Sequence, residues 1–429
     1  MFNVSRLKGF SSEEKIACLL FFCCPIFYLT LQGWTNAFFF IIFLLASMAI
    51  AADPRRYIGG IDRHTWLVLI IFLMPFFAEL IAQLGRQTLL LRSLDSPSRF
   101  LGGAFVVIYL FRSKISKEMF FLFCVGAWIA CAVTFVTVIF NQEYFWSPVR
   151  AATYFVDPNN LGFNILLLLI CSTYLVLSSD WRLWSKACLS LSVILGVSVL
   201  IMSGSRTSWF AFLAALELLI LVTLWRNRSV LFVMHFILIC SLGLLWEFSE
   251  PVSQRLLELF VEFRNIGQTS DSTSAGFRFK LFLLDIELLK HHYLFGLADG
   301  SLPEFAELKS YISWLEYDDY NMMVVAGTHS EFMAQFVRKG VVLGFAAVAS
   351  TVLYPIWFFA RRLRSPLRPD RGLALVAIMI LSTLFVSGWA IEFLNIKMNA
   401  SFLSIFFALA YSSFLAERRK DYEFIQKSP

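Results

Sequence analysis

The sequence predicts an all-α polytopic membrane protein with about twelve transmembrane helices and one large, partly helical loop outside the cytoplasm. Three observations carry that expectation. Of 429 residues, 59% are hydrophobic and 15% charged, with 47 phenylalanines and a mean hydropathy of +0.71. The apolar residues fall in blocks of about 17–22, the length that crosses the hydrocarbon core as a helix. Lys and Arg are plentiful in alternate connections and nearly missing from those between, the pattern that orients membrane helices.

Taken in order, Ser11 and Glu14 form a capping-box pattern ahead of the first block. Spans are then predicted near 16–32, 36–52, 65–82, 100–112, 119–140, 161–179, 187–203, 208–225, 229–247, 333–360, 372–391 and 398–416. The fourth is short and can extend back into Leu89–Leu94. No small-residue cleavage site follows the first block, and Gln32–Asn36 leads straight into the second, so the first reads as a span and not a cleavable signal.

Basic residues gather at Arg55/Arg56/Arg63, Arg112/Lys114/Lys117, Arg182/Lys186, Arg226/Arg228 and Arg361–Arg371, and at both termini. Both termini are therefore expected in the cytoplasm. The net charge of +6 is mostly this topology signal and calls for no nucleic-acid partner. Cys18, Cys23, Cys24, Cys124, Cys131, Cys171, Cys188 and Cys240 all fall inside predicted spans, so neither a disulfide nor a metal site is expected from them. The chain thus divides into residues 1–247 with nine spans, a loop over 248–332, and residues 333–429 with three spans and a cytoplasmic tail.

Every connection is short except that loop of about 85 residues, a length that in compact proteins usually carries function. Pro251 to Ile266 has apolar residues at helical spacing and suits an amphipathic helix on the membrane surface. QTSDSTSAG reads as a polar link, and FRFKLFLLDIELLKHHYLFG as a second amphipathic helix stopped by Gly296. YISWLEYDDYN is acidic and aromatic; Glu316, Asp318 and Asp319 could hold a divalent cation, but a solvated acidic loop explains them as well.

Basic residues are scarce on the outer side, so those present need reasons. Arg206 opens the eighth span after a Ser-Gly-Ser turn, with Thr207 and Ser208 placed to cap the new helix. Free helix N–H groups beside a guanidinium make an anion site, and arginine adds bidentate hydrogen bonds to phosphate oxygens. An interface arginine that snorkels is the alternative. Arg278, with Lys280 nearby, opens the loop's second helix and could equally be a solvated charge. His329 lies where the loop re-enters the membrane, and histidine is the usual general base near neutral pH. No two histidines have metal-ligand spacing.

SGSRT at 203–207, GFRFK at 276–280 followed by HHYLFGLADG with Gly296 and Gly300, and THSEFMAQFVRKGVVLG at 328–344 together resemble the O-antigen ligase and polymerase superfamily. These are bacterial integral membrane enzymes that transfer lipid-linked glycans outside the cytoplasmic membrane. The likeness is strongest over about 150–345; Ser330 stands where the family often has asparagine, and Lys339 where an acidic residue is common. It implies that Arg206 and Arg278, with Ser205, Thr207 and Lys280 around them, bind the diphosphate of an undecaprenyl-diphosphate-linked glycan. It also implies that His329 acts as base on the acceptor hydroxyl, with no cofactor. Arg99, in a ligase-like Asp95-x-Pro97-x-Arg99 stretch, tilts the resemblance toward a ligase that uses lipid A–core as acceptor. A start anchor for the fourth span, with Pro97 at the turn, explains Arg99 equally well.

The chemistry is coherent by itself. Without ATP outside the cytoplasm, the bond energy must arrive in the donor, and fixed cations can stabilise a departing diphosphate. A polymerase of the same pathway is the near alternative, with a glycan acceptor. A lipid-linked oligosaccharide flippase is the alternative of another class, against which stand the lack of an inverted repeat and the isolation of Glu79 and Glu217.

Overall fold

The computed structural model describes residues 10–59, 61–113, 115–140, 150–178, 183–265, 274–298 and 302–427. The first helices are α1 (Ser12–Ile26), α2 (Trp34–Ala52), the short α3 (Pro54–Ile58), α4 (Arg63–Gly85), α5 (Leu91–Arg112), α6 (Ser116–Phe140) and α7 (Pro158–Ser178). Then come α8 (Leu183–Met202), α9 (Arg206–Leu224) and α10 (Arg228–Phe248). The long connection holds α11 (Glu250–Asn265), α12 (Ser274–His291), α13 (Phe305–Tyr311) and α14 (Tyr317–Ala326). The chain closes with α15 (Glu331–Val348), α16 (Tyr354–Ala360), α17 (Arg368–Ser387) and α18 (Lys397–Lys427). Nine of the described helices are long and apolar enough to cross a membrane, and Ala187–Met202 is a shorter apolar one. The fold is all-helical and polytopic.

Local sequence sets the helix ends. Ser11 caps α1 reciprocally with Glu14, their bonds measuring 3.0 and 3.1 Å. The helix stops at Ile26, earlier than the apolar run suggests, just after Pro25. The fourth predicted span takes its longer alternative. α5 starts at Leu91 and carries Pro97 inside it, so Arg99 is not at a helix start, contrary to one of the two readings of that residue. The polar link is shorter than its composition suggests: α12 already begins at Ser274, while 266–273 lie outside the described residues. Gly300 and the basic Lys114 and Arg182 also lie outside the described residues.

The membrane body is built around buried helices. In α18, 94% of the apolar window is enclosed by neighbours, against none in α10, which stands at the periphery. α5 lies along α18, α1 along α6, and α7 against α6, α8 and α17. One polar knot ties this core: the Tyr28 hydroxyl is 2.8 Å from Oδ1 of both Asn164 in α7 and Asn399 in α18. All eight cysteines are free.

The loop is joined to the body by a break in α15. Gly340 takes φ 78° and ψ 173°, so the helical bond from Val341 N–H to the Val337 carbonyl is not made. Backbone groups freed inside an apolar segment must find other partners. The Val337 carbonyl accepts from Leu297 N–H at 2.7 Å, and Val341 N–H donates to the Tyr293 carbonyl at 2.8 Å. Arg86, at the end of α4, donates to the carbonyls of Phe295 and Arg338. Residues 293–297 therefore plug the break. Gly296, with φ +66°, does not stop α12, which ends five residues earlier at His291; it lets this segment touch the α15 backbone at Val337–Lys339.

Downstream of α12's start, Leu281, Leu284 and Leu288 pack with Leu308, Ile312, Leu315 and Val337 into a separate apolar cluster. α12 is thus a packed helix between loop and body, its apolar face covered by this cluster. A Cβ at Gly340 would fall on the Leu294 carbonyl, whereas Gly243 in α10 has nothing within 4 Å. Gly340→Ala should therefore lower stability by about 1–3 kcal/mol from its left-handed backbone alone. Melting of the purified protein checks this, with Gly243→Ala unchanged as the control.

Candidate active site at the α9 start

The turn at residues 203–205 is made of small residues because α7 presses on it. A Cβ on Gly162 of α7 would lie 2.6 Å from Ser203 Oγ and 2.8 Å from Ser205 Cβ. Ser203 Oγ donates to the Leu200 carbonyl at 2.7 Å, and Gly204 turns the chain with φ +60°. The expected capping of α9 by Thr207 and Ser208 is not what forms. Ser205 is the N-cap, and its hydroxyl meets that of Ser208 at 2.9 Å in place of a helix N–H. Buried against Gly162, Ser205 serves the turn.

Arg206 extends from this turn to Glu262 on α11, with Nη2 to Oε1 at 2.9 Å and both side chains nearly enclosed. Arg150, unnoticed in the sequence, crosses the same turn. Its Nε donates to the Ser203 carbonyl at 2.9 Å and Nη2 to Asn159 Oδ1 at 2.7 Å. Gly204 has no Cβ to obstruct it. Burial pushes the Arg150 guanidinium down to about 10, helped by Arg255, Arg206 and Arg278 and opposed by Asp157. At neutral pH it remains a cation.

Arg278, on the first turns of α12, belongs to the same group. Burial lowers its pKa most, Arg206 lowers it further, and Glu262 opposes both. Among the described residues its guanidinium has neither a hydrogen bond nor an ion pair. Mutually repelling cations held out of water form a place where an anion is favoured.

His329 completes the group from the other side. It sits at φ 52° between Gly327, at φ 72°, and Ser330, the N-cap of α15. Its ring meets Phe277 edge to face at 6.3 Å, one residue from Arg278. Burial and then Arg278 hold its pKa below the ordinary value, with Glu392 and Asp157 opposing. The imidazole is therefore neutral at pH 7, the form that accepts a proton. Glu392 holds the turn that presents it: Oε1 accepts from Thr328 Oγ1 at 2.6 Å, and Oε2 from Arg338 at 2.9 Å and Asn395 at 2.6 Å.

Two predicted site residues are engaged elsewhere. Lys280 donates to both oxygens of Asp319 at 3.1 Å, which ties α12 to α14 and uses an acid considered for a cation. Arg99 is buried, bonded to Asp95 at 2.7 Å and stacked 4.4 Å from the Phe40 ring. Each of these cations has an internal counter-charge, as Arg206 has in Glu262. Among the described residues, no side-chain bond ties Thr207 to the group.

Residues 191–348 match a family model described as O-Antigen ligase. That stretch is similar to the O-antigen ligase family. It supports the O-antigen ligase and polymerase superfamily for this chain, whose members are enzymes acting on lipid-linked glycans. No curated protein matches the chain. The matched region contains Arg206, Glu262, Arg278 and His329, while Arg150 and Glu392 come from outside it. Arg150 was legible in principle, since an arginine in the connection before the sixth span lies on the same basic-poor side as Arg206. Glu262 was not, because an acid on an amphipathic helix reads as a solvated charge.

A depressed His329 pKa gives a pH prediction. Base function should appear as pH rises through a limb below 6.5 and then level off. Removing the Glu392 charge removes an influence that raises this pKa, so Glu392→Gln should move the limb to lower pH. The pH profile of glycan transfer by the two proteins checks the direction.

Proposed function

We propose that this protein is an O-antigen ligase that transfers polysaccharide from undecaprenyl diphosphate to lipid A–core. The observation that carries it is the convergence of Arg150, Arg206 and Arg278 with a neutral His329, from four separate parts of the chain. In this reading the arginines hold the donor diphosphate, and His329 takes the proton from the acceptor hydroxyl. That oxygen bonds to the sugar C1 as the C1–O bond to the diphosphate breaks. The electron pair leaves on the lipid diphosphate, where fixed guanidiniums stabilise it without a metal ion. A single displacement inverts the configuration at C1.

The protein is assigned to the bacterial inner membrane with both termini cytoplasmic and the site periplasmic. The sidedness of Lys and Arg in the short loops supports this. The preference for ligase over polymerase rests on the resemblance of Asp95-x-Pro97-x-Arg99, since the matching family description does not separate the two reactions within the superfamily.

The deciding experiment is a lipopolysaccharide gel from a strain lacking the gene, with analysis of its lipid-linked glycans. Rough lipopolysaccharide with long polymer left on the carrier supports the ligase; core capped by one repeat unit means polymerase. An unchanged gel removes both. In reconstituted transfer, Arg206→Ala, Arg278→Ala and His329→Ala should each lose about 100-fold or more, the scale of one transition-state stabilising or proton-transfer group. Lys280→Ala, whose charge is taken by Asp319, should retain activity within a few-fold. Donor that still reaches the outer face in Arg206→Ala cells would exclude a flippase.

A further inference from the structure

The Arg206–Glu262 pair is built oddly for a structural ion pair. Glu262 is 7% exposed, yet only one oxygen is used: Oε1 meets Arg206 Nη2 at 2.9 Å. The other oxygen, Oε2, and Arg206 Nη1 are both buried and lack a hydrogen-bond partner. A guanidinium and a carboxylate of this size readily form two parallel bonds. Leaving one donor and one acceptor buried and unpaired costs free energy that a permanent contact would avoid.

The setting adds to this. Arg150 is within electrostatic reach of Arg255, Arg206 and Arg278, Arg278 is within reach of Arg206, and Glu262 is the acid whose charge offsets Arg206 and Arg278 directly. Glu262 comes from α11, which packs on α10 and α12, while its Leu257, Phe260 and Val261 are exposed. Gln254, Leu257, Glu258, Val261 and Glu262 itself line an open surface depression along α11, so the carboxylate lies at the edge of solvent.

We infer that Glu262 is an exchangeable counter-ion for Arg206, displaced by the donor diphosphate and returning to expel the diphosphate leaving group. This rests on the diphosphate-transfer reading above. Breaking the C1–O bond gives the diphosphate an additional ionisable oxygen, so the leaving group binds the arginines more tightly than the donor does. A cation cluster with no competing anion would keep it. Glu262 supplies the competitor at high effective concentration, because α11 holds it beside Arg206. It also sets a charge threshold: a ligand must offer Arg206 more than one carboxylate does, which favours a diphosphate over a monophosphate. Glu262 is thus a specificity and release residue and takes no part in bond making.

The test uses the full-length protein in lipid nanodiscs, with inorganic pyrophosphate and a short-chain polyprenyl diphosphate as binding probes. Glu262→Gln keeps shape and one hydrogen bond but removes the charge. It should bind both probes about tenfold tighter or more, a size ordinary for a close charge pair. In transfer assays it should lower both KM and kcat and increase inhibition by added polyprenyl diphosphate. Selectivity for pyrophosphate over inorganic phosphate should fall. Equal or weaker probe binding by a folded Glu262→Gln overturns the inference. So does loss of the folded protein in both Glu262→Gln and Glu262→Ala, which would make the contact structural. If wild type binds neither probe, or Arg206→Ala binds them as well as wild type, the diphosphate reading itself fails and the inference goes with it.

Discussion

Repulsion among partly buried guanidiniums is the constraint around which this structure is arranged. Arg150 and Arg278 are disfavoured as cations by burial and by neighbouring guanidiniums, and Arg206 is offset by Glu262. None of the three is free to move apart. Arg150 is clamped across the Ser203–Ser205 turn by bonds to Ser203 and Asn159. Arg206 starts a helix whose preceding turn is pressed against Gly162 of α7. Arg278 is on a helix anchored through Leu281, Leu284 and Leu288 to the loop's own apolar cluster. Packing elsewhere thus sustains an electrostatic arrangement that is unfavourable locally, as sites prepared for a charged ligand require.

His329 depends on a second anchoring system. His329 sits at the entrance to α15, and a chain of polar groups fixes that helix in the apolar body. Glu331 accepts from the N–H groups of Phe393 and Leu394 at 2.8 Å, and Gln335 bridges Glu331 to Lys339. Lys339 is 3.4 Å from Glu79 of α4, which also faces Arg86 at 3.7 Å. Arg86 in turn holds the break at Gly340. The basic Lys339, at a position where the resembled family often has an acid, finds its acid on α4. Glu79, isolated in sequence, is a counter-charge in this network.

The same region contains a carboxyl group without an assigned task. Asp285 on α12 is fully buried, with neither oxygen bonded. Burial raises its pKa well above the carboxylate range; Glu392 adds to that and Arg338 opposes it. It lies two helical turns from Arg278 on the same face, so a neutral Asp285 leaves the cluster's positive balance intact.

The apolar helices and the single long connection were legible because each depends on local composition. Helix length follows from hydrocarbon thickness, and the Ser11 capping box follows from residues three apart. The proximity of Arg150, Glu262 and Glu392 to the site was not legible, because no periodicity encodes which charge meets which across the loop. The break in α15 was hidden for a related reason. Gly340 alone is compatible with a continuous helix, and only the arrival of residues 293–297 gives the freed Val337 and Val341 groups partners. The sequence by itself determined what the solvent demands of each segment. Tertiary structure decided which cations meet an acid far along the chain, as Lys280 meets Asp319 and Arg206 meets Glu262, because only long-range packing selects such partners.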